Sequence, residues 1–287
     1  MKFQNIEQLI KWSVEFSKKF STNDSIIRQM FFMERFLARL SVSPRRDNFV
    51  LKGGLLISSM IGLQNRITKD LDVSALNLSF NRAEIENIIN LIISEKTDDG
   101  VSFSIYKTLP IREQFKEPDF RVVLNTKFNA QKANFHKANF HIDIVSGDAN
   151  DPPAVPYEYK TLFNDKTLTL MAASVETVLA EKILTILYFN VEGTRFKDYY
   201  DVYTLFAANA DKLNYETMFD IIKRKSALLD YQKYADNAPY YLDLINKSHE
   251  INAAWKNYKT NNPYMKDIDL RDIIAIIEKI FHERAQS

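Results

Sequence analysis

Residues 49–75 read FVLKGGLLISSMIGLQNRITKDLDVSA, and the architecture turns on them. A short apolar run, Phe49 to Leu51, ends in Lys52-Gly53-Gly54 and predicts a strand handing over to a helix across 54–62. Glycine lets a backbone approach a phosphate closely. A helix N-terminus following it offers unpaired N–H groups and the positive end of the helix dipole. Arg66, Thr68, Asp70 and Asp72 come next, with a strand expected over 70–74. Side chains alternate along a strand, so Asp70 and Asp72 share one face while Leu71 faces the core. Two such carboxylates make a hard oxygen cluster of the kind magnesium favours, with room left for phosphate oxygens. Such sites serve phosphoryl chemistry by polarising phosphate and activating a hydroxyl.

A third carboxylate is expected from a neighbouring strand. FHIDIVSGD (140–148) supplies Asp143 between Ile142 and Ile144, where an unpaired acid is costly. Asp148 follows Gly147 in a turn and is the weaker candidate. Lys52 either adds charge at a triphosphate or reaches solvent. Arg66 and Thr68 either touch nucleotide or brace the loop ahead of the strand. Gly-Gly, D-x-D and a later strand Asp, in that order, say more together than any one of them alone.

The 287 residues suffice for one large or two smaller domains, and 46% are hydrophobic. Thirty-eight basic residues face 37 acidic ones, so any nucleic-acid footprint must be local. Without cysteine, disulfides, thiolate metal sites and cysteine nucleophiles are excluded. The charged N-terminal stretch does not read as a signal-peptide core, and no run approaches membrane-spanning length. A cytoplasmic protein is expected.

Outward from the central stretch, periodicity predicts helices at 3–20, 24–41 and 81–96, and strands at 101–108, 119–128 and 139–146. The repeat KANFHKANFH (132–141) reads as a hairpin or strand approach. Three of the eight prolines fall in 151–156, which suggests a boundary. Beyond it, helices are expected at 174–190, 195–208, 214–227, 237–256 and 268–284. The domains are therefore read as 1–156, mixed α/β with two N-terminal helices, and 157–287, mainly helical.

The helical part carries its own polar constellation. Lys182 projects into the middle of the apolar stripe formed by Val175, Val178, Leu179, Ile183 and Ile186. Lysine seldom sits there without a partner or a route to solvent. In RFKDYYDVYTLF (195–206), Arg195 falls inside the aromatic sector and Asp198 on its edge, while Lys197 and Asp201 project away. Lys182, Arg195 and Asp198 can converge on one pocket, or Arg195 and Asp198 can simply pair at i,i+3. Lys223-Arg224-Lys225, Arg45, Arg46, Lys18 and Lys19 are candidate phosphate contacts. Tyr231, Tyr234, Tyr240 and Tyr241 are candidate stacking platforms.

LKGGLL, RITKDLD, HIDIVSGD, VETVLAEKILTIL and RFKDYYDVYTL, over roughly 48–206, resemble the AbiEii/AbiGii family of nucleotidyltransferase-like toxins in the DNA polymerase beta superfamily. The resemblance implies an α/β (α+β) fold: a nucleotidyltransferase mixed sheet flanked by helices, with a helical C-terminal region closing the cleft. It implies Mg2+ (or Mn2+) and a nucleoside triphosphate. By position, Asp70, Asp72 and Asp143 would be the metal-binding and catalytic acids, with Asp143 a general base for the acceptor hydroxyl. Lys52, Gly53, Gly54, Arg66, Thr68 and Arg195 would meet nucleotide. Lys182 and Asp198 match the later basic–acidic motif. Some members act on the tRNA 3′ end, and members usually occur with an antitoxin protein in abortive-infection or toxin–antitoxin systems. The chain departs from the pattern at Leu55, where the family usually has Ser or Thr. An RNA acceptor, most plausibly tRNA, is the leading expectation. A protein or small-molecule hydroxyl as acceptor, or a degenerate binding module, are the alternatives.

Overall fold

The computed structural model describes residues 3, 5–20, 22–111, 119–128, 139–147, 152–163 and 166–283. Asp148 and most of the KANFHKANFH repeat lie outside the described residues. The chain divides into two compact units: 1–149 with 154–173, and 150–153 with 174–287.

The first unit contains helices α1 (Ile6–Lys19), α2 (Asp24–Val42), α3 (Gly53–Ile61) and α4 (Arg82–Ser94). Its strands are β1 (Phe49–Lys52), β2 (Leu71–Ala75), β3 (Val101–Ile111), β4 (Asp119–Phe128), β5 (Asn139–Ser146), β6 (Val155–Lys160) and β7 (Thr167–Ala172). They form one mixed sheet in the order β3-β4-β5-β2-β1-β7-β6. β2 runs parallel to β5, and β1 parallel to β7; the other neighbours are antiparallel. Where the prolines suggest a boundary near 156, the chain instead adds the β6–β7 pair to the sheet, and the helical elements start after Ala173. Pro156 is compatible with this because β6 is an edge strand, where a missing N–H is tolerated.

Alternation decides which side of the sheet is core. Val122 and Leu124 of β4, Ile142 and Ile144 of β5, and Leu71 and Val73 of β2 are all buried. Each such side chain contributes about 1.5–3 kcal/mol of burial. α2 packs against β5, β7 and α4. Phe3, Trp12, Phe31 and Phe163 add an edge-on aromatic cluster that fastens α1 to α2 and to the turn after β6. Asn5, Asn23 and Asn81 cap α1, α2 and α4 by accepting backbone N–H bonds.

The second unit holds α5 (Val175–Phe189), α6 (Phe196–Asn209), α7 (Tyr215–Leu228), α8 (Gln232–Asp236), α9 (Ala238–Lys247), α10 (His249–Asn261) and α11 (Leu270–Glu283). The helix expected over 237–256 is two helices. Ser248, in extended conformation, ends α9 and accepts from Ile251 N to start α10. No helix among the described residues is long and apolar enough to cross a membrane.

Candidate active site

β1, β2, β5 and β4 lie side by side, and their register sets four charged residues in one row. Lys52 is opposite Asp72, Asp72 opposite Asp143, and Asp143 opposite Arg121. Residues in register on adjacent strands project to the same face, with Cβ atoms about 4.5–5.5 Å apart in an antiparallel pair. The row therefore alternates as cation, two carboxylates, cation. Asp70, just ahead of β2, joins from the same side, its Oδ1 2.9 Å from His141 Nε2. The structure thus brings together Lys52, Asp70, Asp72 and Asp143.

Asp72 is the electrostatic centre. Burial raises its carboxyl above the ordinary range, and the like charges of Asp143 and Asp70 push the same way. Lys52 and a hydrogen bond donated by the Gly54 N–H oppose them. That N–H belongs to the first turn of α3, so the glycine turn and the acid are joined directly. Gly53 has φ +66°, and a Cβ there would come within 2.0 Å of Asp72 Oδ2. A Cβ on Gly54 would lie 2.5 Å from Thr68 Oγ1. Both glycines are thus required for the 66–72 loop to close over the start of α3.

That loop is braced from within. Ser58 donates toward Gly54 O (2.9 Å) and Arg66 O (2.8 Å), and Asp70 N donates to Thr68 Oγ1 at 3.3 Å. Arg66 Nη1 donates to Ile67 O at 2.8 Å. Thr68 and Arg66 accordingly have bracing contacts beside the glycine turn. Leu55 is fully buried in the core.

Two site-face residues were not read from sequence. Arg121 donates from Nε and Nη2 to the two oxygens of Asp143, both at 2.7 Å. His141 shares its face with Asp143 by simple alternation, a signal the sequence does contain. Arg121 becomes significant only through the β4–β5 register, which the sequence does not disclose.

In the second unit, Lys182, Arg195 and Asp198 do come together. Lys182 Nζ donates to Asp198 Oδ1 at 2.5 Å, and Arg195 Nε to Asp198 Oδ2 at 2.7 Å. Two details of the expectation are corrected. Asp201 does not project away: its side chain is fully buried, 3.4 Å from Lys182 Nζ, because α6 packs against both α5 and α11 and has no wide solvent side. Arg195 is not placed by the helix face, and its guanidinium lies over the Phe189 ring at 5.6 Å. It precedes the first helical residue, so helical projection does not apply to it, and its side chain is 58% exposed. The basic cluster also divides: Lys225 is bound to Glu181 at 2.7 Å and largely buried, while Lys223 and Arg224 are exposed.

Among the described residues, no group of three or more His, Asp or Glu side chains forms a ready metal cage. The donor set nevertheless fits a hard divalent cation. Asp72 is half-buried beside two like charges, which a cation would relieve, and every candidate donor is an oxygen. The arrangement differs from a closed cage because Arg121 engages both oxygens of Asp143.

A sequence profile described as "Nucleotidyl transferase AbiEii toxin, Type IV TA system" matches residues 35–273. A search of the curated proteins finds no match. Among solved structures, the chain matches the crystal structure of an antigenic nucleotidyltransferase-like protein from Paracoccidioides brasiliensis. The identity is 14%, covering 79% of this chain and 84% of that one, with a TM-score of 0.35.

Proposed function

Since the chain belongs to the AbiEii family of nucleotidyltransferase toxins, we propose that it transfers a nucleoside monophosphate from a nucleoside triphosphate to an RNA hydroxyl, at a tRNA 3′ end, in the cytoplasm. The observation that carries this is the in-register pair Asp72–Asp143 beside a glycine turn whose N–H reaches Asp72. The acceptor hydroxyl attacks the α-phosphorus and pyrophosphate leaves. Asp70, Asp72 and Asp143 would hold a magnesium or manganese ion, which when bound neutralises charge on the triphosphate and acidifies the acceptor hydroxyl. Gly53 and Gly54 let Asp72 and Thr68 close on the start of α3, and Lys52 sets a positive charge at the edge of the acid row. The Lys182–Asp198–Arg195 network would present its exposed guanidinium to an anionic group of a substrate. The family description carries an antitoxin with it, and we assign this chain such a counterpart.

An RNA acceptor is supported by a surface run of rings in the second unit. Tyr188 stacks on Tyr231 at 4.1 Å, and Tyr234, Tyr241 and Tyr240 continue the contacts. Tyr240 is 61% exposed, and Lys233 lies 4.7 Å over the Tyr234 ring. Such platforms accept unpaired bases while cations meet the backbone.

The test is incubation with magnesium and each labelled nucleotide in the presence of total tRNA, a protein extract or buffer alone. Label should enter RNA and disappear in Asp70→Ala and Asp72→Ala. Label in protein or in a small product would move the acceptor elsewhere. Absence of turnover from every mixture would refute transfer itself.

A further inference from the structure

Arg121 is the cation on the site face that the glycine turn and the three acids leave unexplained. It stands directly opposite Asp143 across the β4–β5 pairing, so the strands aim it there. Its fork takes Oδ1 and Oδ2 together, each at 2.7 Å. A bidentate guanidinium–carboxylate pair is among the stronger and more directional polar contacts. The cation is also favoured by Asp70 and Asp72, so all three acids act on it. Its side chain is 39% exposed against 16% for Asp143, so it can withdraw toward solvent while the carboxylate stays in the row.

A guanidinium fork takes from each oxygen of a carboxylate the inward-facing lone pair that a chelating divalent ion would use. Arg121 and the ion therefore compete for the same lone pairs. We infer that Arg121 is a positioning residue that sets divalent-cation affinity through Asp143: it holds the carboxylate beside Asp72 and gives up an oxygen when the ion arrives. This rests on the transferase reading and adds a regulator of its metal step. A purely structural brace has the opposite sign. If Arg121 only kept Asp143 in place, losing it would let two like charges drive Asp143 away and weaken the cation.

The experiment is titration of the full chain with Mn2+ alone, without nucleotide, following free Mn2+ by electron paramagnetic resonance. Arg121→Gln should bind Mn2+ about tenfold tighter than the parent, with Arg121→Lys between them, since a lysine makes one point contact and not two. Asp143→Asn should bind more weakly, and adding Arg121→Gln to it should tighten binding far less than Arg121→Gln does in the parent, leaving only the charge effect at Asp70 and Asp72. Thermal unfolding of each variant controls for folding, and Arg121→Lys carries the same sign if Arg121→Gln fails to fold. Unchanged or weaker Mn2+ binding in a folded Arg121 variant overturns the inference. Binding in the parent that ignores Asp143→Asn overturns it too, while leaving transfer at Asp70 and Asp72 standing. No Mn2+ binding by the parent overturns both the inference and the metal part of the transferase reading.

Discussion

Gly53 has no freedom to be anything else. Its φ of +66° is in the left-handed region, and an added methyl carbon would overlap Asp72 Oδ2 at 2.0 Å. Gly53→Ala should cost about 1–2 kcal/mol of backbone strain and displace the central carboxylate of the acid row. Nucleotide transfer is then expected to fall by at least a hundredfold with only a modest loss of thermal stability. Near-parental activity would mean that Asp72 need not sit where it does. This requirement was partly legible: a double glycine between a strand and a helix announces a close approach. What it approaches was not, because the neighbour is a carboxylate nineteen positions downstream (53 to 72) brought back by β-pairing. The same limit applies to Arg121, whose partner is set by strand register. His141, two residues from Asp143, was within reach of alternation alone.

Among the elements, α2 shows how far periodicity goes. Its apolar spacing predicts a helix over 24–41, and the helix spans Asp24–Val42. Amphipathicity, though, leads one to expect a solvated face, and Glu34, Arg35 and Arg39 are all buried because α1 covers one side and the sheet the other. Arg39 answers this with Asp99, at 2.7 and 3.0 Å. Glu34 accepts from Tyr159 Oη at 3.1 Å and Leu162 N at 2.5 Å, with Arg35 at 3.7 Å. Burial outweighs those contacts and pushes its carboxyl up to about 7. Between the unfolded value of 4.5 and that figure, the folded state binds the extra proton. Stability from Glu34 is therefore fully present below about pH 4.5 and lost as pH rises through 7. Glu34→Gln keeps an acceptor for both donors and removes the charge. In urea unfolding it should equal the parent at acidic pH and exceed it at pH 8 by up to about 3 kcal/mol. Parallel pH profiles for the two proteins would show that Glu34 does not titrate in this range. The β6–β7 pair departs from the sequence reading for a different reason: Pro156, close after Pro152 and Pro153, reads as punctuation, whereas an edge strand accepts it.

At the scale of the whole molecule, a net charge of +1 decides how an RNA could be met. There is no field to draw in a polyanion, so contacts must be few and local. With about two phosphates neutralised, the logarithm of affinity should fall with that of salt at a slope of about −1.4. The apparent KM for an RNA acceptor should then rise about sevenfold between 50 and 200 mM salt. A rise above a hundredfold would expose an extended basic tract. The sequence by itself determined the kinds of element, most of their limits and the family, and it singled out Asp70, Asp72 and Asp143 as candidate acids. These follow from period, turn chemistry and motif order, which are local properties of the chain. Only the tertiary structure decided the row Lys52–Asp72–Asp143–Arg121, the hold of Arg121 on Asp143, the burial of Asp201 and the reach of the sheet past residue 156. The physical reason is that charges act through space. Strand register and helix packing choose which ones become neighbours, and neither is written in the local pattern.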